Sequence, residues 1–165
     1  MSIVLIRIDD RLIHGQIVEG WLKSIHVNHI VVVSDEVARD KMQQVLLGMA
    51  VPSGVKVASY SIENAAKKIR ENYFLSDRVL LLLSSPRDVL RLMNAGVEVP
   101  SVNVGGMHYT PGKKQLLRNL SVDDDDISAL IEISRKGAEL EGRVLPSDEK
   151  VNILEVLEKE TKENK

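Results

Sequence analysis

Residues 78–83 read Arg78-Val79-Leu80-Leu81-Leu82-Leu83 and are followed at once by Ser84-Ser85-Pro86. An unbroken apolar run of strand length suits a strand buried on both faces, the habit of parallel sheets covered by helices. The serines and proline that end it are helix-start residues, with Pro86 at a first helical position. Working outward, Ser2–Ile8 (S-I-V-L-I-R-I), His29–Ser34 (H-I-V-V-V-S), Val55–Tyr60 (V-K-V-A-S-Y) and Ser101–Val104 read as further strands, with segments of helical period between them. This alternation predicts one α/β domain over residues 1–165. Its central sheet is largely parallel, of about six or seven strands, with helices on both faces and antiparallel strands allowed at the edges.

Met42, Val45, Leu46 and Met49 recur at i, i+3, i+4, i+7 and predict a helix with a single apolar face. Ile127, Leu130 and Ile131 nearly repeat the spacing, and Asp123–Asp126 sits where carboxylates cap a helix N-terminus. After the Thr110-Pro111-Gly112 turn, Gln115–Val122 reads as a returning strand and Leu140–Leu145 as a last, edge-like one. A polar helix is expected over Glu149–Glu160, with Thr161–Lys165 frayed.

The composition narrows the chemistry. With 165 residues the chain can bury about 68–70% of its unfolded surface, so it needs no disulfide or structural metal to fold. It has no cysteine, which removes thiolate nucleophiles, phosphocysteine and cysteine-ligated metal sites. A formal charge of −2 gives no footprint for nucleic acid. No apolar run approaches membrane-span length and no signal-peptide pattern opens the chain, so the reading is a soluble cytoplasmic protein. Neither G-x-x-x-x-G-K-[ST] nor G-x-G-x-x-G occurs, so no nucleotide signature is present and no cofactor is expected.

One segment carries the chemistry: Arg7–Gln16, R-I-D-D-R-L-I-H-G-Q, where the first strand ends. Ligands of open α/β sheets bind outside the carboxyl ends of strands. A neutral imidazole is a workable phosphoryl acceptor and leaving group, which makes His14 the candidate nucleophile. Arg11 and Arg7 are the available guanidinium forks for a phosphate. Gly15 and Gln16 stand where backbone N–H groups open a helix. Asp9 or Asp10 orients the imidazole, or holds an arginine when phosphate is absent; the residues alone leave both open.

Other candidates are weaker. Gly105-Gly106 is either a close-approach loop at the site rim or turn punctuation. Ser84 either lines the crevice or belongs to the next helix start, and His108 follows the glycine pair. His26 and His29 form H-x-x-H, but along an extended segment that spacing points the rings apart, so no metal site is expected. Trp21 is read as a packing residue, and Lys113 and Lys114 as docking lysines for an acidic partner or solvated ones.

The D-D-R-L-I-H-G-Q string closely resembles the active-site segment of the IIB components of the bacterial phosphotransferase system, mannose/fructose/sorbose family. V-N-V-G-G-M (Val102–Met107), P-G-K-K-Q-L (Pro111–Leu116) and L-P-S-D (Leu145–Asp148) extend the resemblance over essentially the whole chain. It implies a protein-phosphohistidine–sugar phosphotransferase. His14 accepts a phosphoryl group, through Nδ1, from a phosphohistidine on a IIA domain and passes it to a sugar at membrane IIC and IID subunits, with which the protein associates peripherally. By the same resemblance Arg11, Arg7 and Asp9 surround His14. Two alternatives from the residues alone are a non-catalytic anion-sensing or regulatory α/β protein, and a hydrolase with His14 and an aspartate as acid and base.

Overall fold

The computed structural model describes residues 2–163. The strands β1 (Ile3–Ile8), β2 (His29–Val33), β3 (Lys56–Tyr60), β4 (Val79–Leu83) and β5 (Ser101–Val104) lie where the apolar runs predict them. Two further strands, β6 (Lys114–Leu117) and β7 (Leu120–Val122), form a separate antiparallel hairpin. With β8 (Glu139–Gly142) and β9 (Val151–Asn152) the main sheet has, among the described residues, seven strands in the order β3-β2-β4-β1-β5-β8-β9. Among these seven, β9 at the edge runs antiparallel to its neighbour and the other pairs are parallel.

Side-chain alternation divides the core between the two faces. Val79, Leu81 and Leu83 of β4 enter one cluster and Leu80 and Leu82 the other, and all five are fully buried. The first face is covered by α4 (Ile62–Arg70), α5 (Pro86–Asn94), α6 (Asp124–Arg135) and α7 (Ile153–Glu163), packed side by side. The second carries α1, which opens as a π-helix at Gln16–Trp21 and continues as an α-helix at Leu22–Ile25, with α2 (Asp35–Ala38) and α3 (Lys41–Met49). The capping reading of the acidic run holds: Asp123 and Asp126 form a reciprocal capping box. Ser85 caps α5 with Pro86 in its first turn.

The expectations for three elements in the second half of the chain are corrected. Gln115–Val122 is not one returning strand but the β6–β7 hairpin, because Arg118-Asn119 turns the chain between the paired Leu117 and Leu120. The strand expected over Leu140–Leu145 stops at Gly142 and lies inside the sheet; beyond it the Arg143 and Val144 carbonyls accept side-chain hydrogen bonds instead of ladder bonds. The last helix starts at Ile153, not Glu149, because Val151–Asn152 pair as β9. It continues to Glu163 through the expected frayed stretch, of which 164–165 fall outside the described residues. The helix expected over Met42–Met49 is present as α3, and its apolar face lies at the surface: Met42, Val45, Leu46 and Met49 are all exposed.

The H-x-x-H pair is also resolved. His26 ends α1 with φ 52°, and the nearly buried His29 bonds Asp77 through Nδ1 at 3.0 Å. No cluster of three metal-ligating side chains occurs among the described residues, and no helix among them is long and apolar enough to cross a membrane.

Candidate active site

The site is built from its buried base upward. Period-two alternation sends Ile6 and Ile8 into one core, while Arg7 and Asp9 face the other side, where Trp21 sits. Both charged residues are fully buried and paired, Arg7 Nη2 to Asp9 Oδ2 at 3.1 Å. Arg7 also bonds Asn103 Oδ1 and donates to the carbonyls of Arg143 (2.9 Å) and Val144 (3.2 Å), with its guanidinium over the Trp21 ring. Asn103 continues the chain of polar contacts to Glu141 (3.0 Å), which pairs with Arg143 (2.8 Å). Burial pulls the Arg7 pKa below its ordinary value, against the opposing charges of Asp9 and Glu141.

Arg7 is therefore not the surface phosphate fork the sequence suggested. Its Nη groups are committed behind Asp9, so it neutralises the floor of the site rather than presenting itself to a ligand. The glycine pair is a close-approach loop more than a turn. A Cβ at Gly105 would overlap the Arg7 guanidinium, and one at Gly106 would stand 3.4 Å from Asp9 Oδ1.

Of the two aspartates, Asp9 is the one hydrogen-bonded to His14. Its Oδ2 lies 2.8 Å from His14 Nε2, and its Oδ1 accepts the Arg11 backbone N–H at 3.2 Å. Burial pushes the Asp9 carboxyl up, but the His14 hydrogen bond and charge, Arg7 and the Arg11 N–H outweigh it and hold the pKa below the ordinary aspartate value. An ionised carboxylate only accepts, so Nε2–H donates to Asp9, and in the neutral form of the ring the lone pair falls to Nδ1. Nδ1 faces the Gln16 backbone N–H at 3.4 Å, at the mouth of α1. Leu12, at φ 60°, turns the loop back so that His14 reaches Asp9. A left-handed leucine costs on the order of 1 kcal/mol and needs surroundings that hold it, here a buried side chain.

The other predicted residues divide clearly. Arg11 is half-exposed, its Nη2 on Gln16 Oε1 at 3.1 Å and its Nε 4.0 Å from Asp9, so its guanidinium stands at the surface between these two neighbours of His14. His14 itself is less open than a loop histidine, its side chain 13% exposed. Beside it runs a groove of about 920 Å³ lined by Gly15, Gln16, Gly20, Leu145 and Pro146. Asp10 does not touch His14 but holds His108, through the His108 backbone N–H (2.7 Å) and Nδ1 (2.6 Å). Ser84 turns its hydroxyl to Asp88 at 3.4 Å, toward the helix start. Lys113 and Lys114 reach Asp126 and Glu160 within the fold.

Sequence reading missed Asn103, Glu141, Arg143 and the Val144 carbonyl that Trp21 Nε1 meets at 2.9 Å. Asn103 had a signal, a polar residue inside an apolar strand. The carbonyls had none.

Residues 3–165 match the family described as the phosphotransferase-system sorbose subfamily IIB component. The chain is 40% identical over 162 residues to a fructose-specific EIIB component of Bacillus subtilis, covering 98% of this chain and 99% of that one. It is 41% identical over 159 residues to a mannose-specific EIIAB component of Escherichia coli, covering 96% of this chain and 49% of the relative. The crystal structure of the IIBSor domain of the sorbose permease from Klebsiella pneumoniae superposes with a TM-score of 0.90 at 40% identity, covering 96% and 98% of the two chains.

Proposed function

Because the chain belongs to the sorbose subfamily of phosphotransferase-system IIB components, we propose that His14 is the residue on which it carries a phosphoryl group. A IIB component takes that group from a IIA partner and passes it to a sugar at the membrane permease, and this chain is such a carrier. The observation that carries the assignment is the Asp9–His14 pair: the carboxylate takes Nε2–H and leaves Nδ1 as the nucleophile.

In the first transfer the Nδ1 lone pair attacks the phosphorus of the IIA phosphohistidine. The donor's N–P bond breaks, and its electron pair returns to the donor ring. His14 gains positive charge as the bond forms, and Asp9, backed by Arg7, stabilises it. The Arg11 guanidinium and the Gln16 N–H stand where the equatorial phosphoryl oxygens develop charge. In the second transfer a sugar hydroxyl attacks the phosphorus, the Nδ1–P bond breaks back to the ring, and the hydroxyl proton leaves to water. Membrane subunits of the IIC and IID type present the sugar, a hexose of the kind for which the relatives are named, fructose, sorbose or mannose. The family favours this carrier over an anion sensor or a hydrolase.

Incubation with a phosphorylated IIA protein is expected to add one phosphate to His14, labile in acid and stable in alkali, with His14→Ala unlabelled. Equal labelling of His14→Ala would overturn the assignment.

A further inference from the structure

Three neighbouring strands each place a buried polar side chain on the face that holds Trp21. The register sets Arg7 of β1 beside Asn103 of β5, and Asn103 beside Glu141 of β8, in one row across the sheet. Two positions further along each chain stand Asp9, Gly105 and Arg143. The four charges alternate in sign around this block, and the missing side chain of Gly105 leaves the space that the Arg7 guanidinium fills. Glu141 uses both oxygens: Oε1 accepts from Asn103 Nδ2 at 3.0 Å and Arg143 Nη2 at 2.8 Å, and Oε2 from Arg143 Nε at 2.9 Å. The Asn103 amide thus lies between an anion and a cation, Nδ2 on Glu141 and Oδ1 on Arg7, and only this orientation satisfies both. Arg7 Nη2 and His14 Nε2 then meet on one atom, Asp9 Oδ2. Buried ion pairs are seldom more stabilising than apolar side chains of the same volume, so stability alone does not account for a carboxylate at Glu141.

We propose that Glu141 is a positioning residue for the phosphoryl transfer, reaching His14 through Asn103, Arg7 and the shared Asp9 oxygen. The role rests on the reading of His14 as the carrier. Glu141 divides the charge of Arg7 between two carboxylates and holds the guanidinium toward β8. Asp9 Oδ2 therefore keeps negative charge for the imidazole, which turns positive as the N–P bond forms. With Glu141 neutralised, Arg7 is left to Asp9 alone. The bond from His14 Nε2–H to Oδ2 weakens, and the developing imidazolium loses part of its stabilisation.

Glu141→Gln removes the charge while keeping the shape and an acceptor for Asn103. In a proton–nitrogen spectrum of the histidine-labelled, unphosphorylated variant, the His14 Nε2–H proton is expected upfield of its position in the unmodified protein, as a weaker hydrogen bond requires. A purely structural role would lower stability and leave that signal in place. Transfer from phospho-IIA should be about tenfold slower, the lower end for a residue that orients a reacting one. Asn103→Ala cuts the relay and leaves the Glu141–Arg143 pair intact. It should show the same upfield shift and a similar slowing, so it tests the proposal even where Glu141→Gln does not fold. The double variant should be no slower than either single one, because both act along one path. Circular dichroism and the fluorescence of Trp21, the one tryptophan of the chain, report folding. An Nε2–H signal that does not move in the folded variants, transfer within about twofold of the unmodified protein, or slowing factors that multiply in the double variant would each overturn the proposal. Labelling of the unmodified protein at a residue other than His14 would overturn the carrier reading and this role with it, whatever the signal does.

Discussion

Two adjacent aspartates end β1, and each holds a histidine. Asp9 is fully buried against a His14 side chain that is 13% exposed, with Arg7 behind it; the Asp10 and His108 side chains are 27% and 59% exposed. The exposed pair has the shorter contact, 2.6 Å against 2.8 Å. Distance therefore does not select the working pair. Water screens the Asp10–His108 bond, whereas the buried Asp9 carboxylate, neutralised from beneath by Arg7, acts on the imidazole in a low-dielectric setting. The proposed transfer uses the inner pair, whereas the outer one ties Asp10 to the loop that carries His108.

Asp9→Asn should break this difference most severely. It leaves Arg7 buried without its counter-charge, at a cost of about 3–5 kcal/mol, and removes the acceptor that fixes the His14 tautomer, slowing transfer by about 10²–10⁴-fold. Chemical denaturation and transfer rates from phospho-IIA check the two effects. Folded Asp9 titrates below its ordinary value of 3.8, so its stabilising contribution is present above the unfolded-state pKa and is lost as pH falls through the folded one. The steep loss of stability below about pH 4 should accordingly be shallower in Asp9→Asn.

Gly105→Ala comes next. Its methyl group meets the immobile Arg7 guanidinium, so urea unfolding should show about 2–3 kcal/mol of lost stability, more than at any exposed glycine. Arg11→Ala should slow transfer about tenfold or more while changing stability by no more than ~0.5 kcal/mol, because the side chain is half-exposed. Asp10→Asn should do least, within about threefold on transfer and ~0.5 kcal/mol on stability. A large transfer defect in Asp10→Asn would erase the distinction between the two pairs.

The central strands, the caps and the His14 loop were legible because each is written locally: in an unbroken apolar run, a Ser85-Pro86 start, or a cluster of charges at a strand end. What stayed hidden depends on residues far apart in the chain. The inward commitment of Arg7 rests on Asn103, 96 positions away, and on main-chain carbonyls 136 and 137 positions away, which no side-chain pattern announces. The choice between Asp9 and Asp10 turned on loop geometry at Leu12. The α3 spacing was read correctly as one apolar face, but periodicity names a face without saying whether it meets the core or lies at the surface. β9 is only two residues long, too short to leave a period.

By holding Nε2, Asp9 is expected to direct the phosphoryl group to Nδ1 of His14. A proton–nitrogen spectrum of the histidine-labelled, phosphorylated protein tests it directly. Phosphorus is expected on His14 Nδ1 with Nε2 still protonated; phosphorylation at Nε2 would overturn the role given to Asp9.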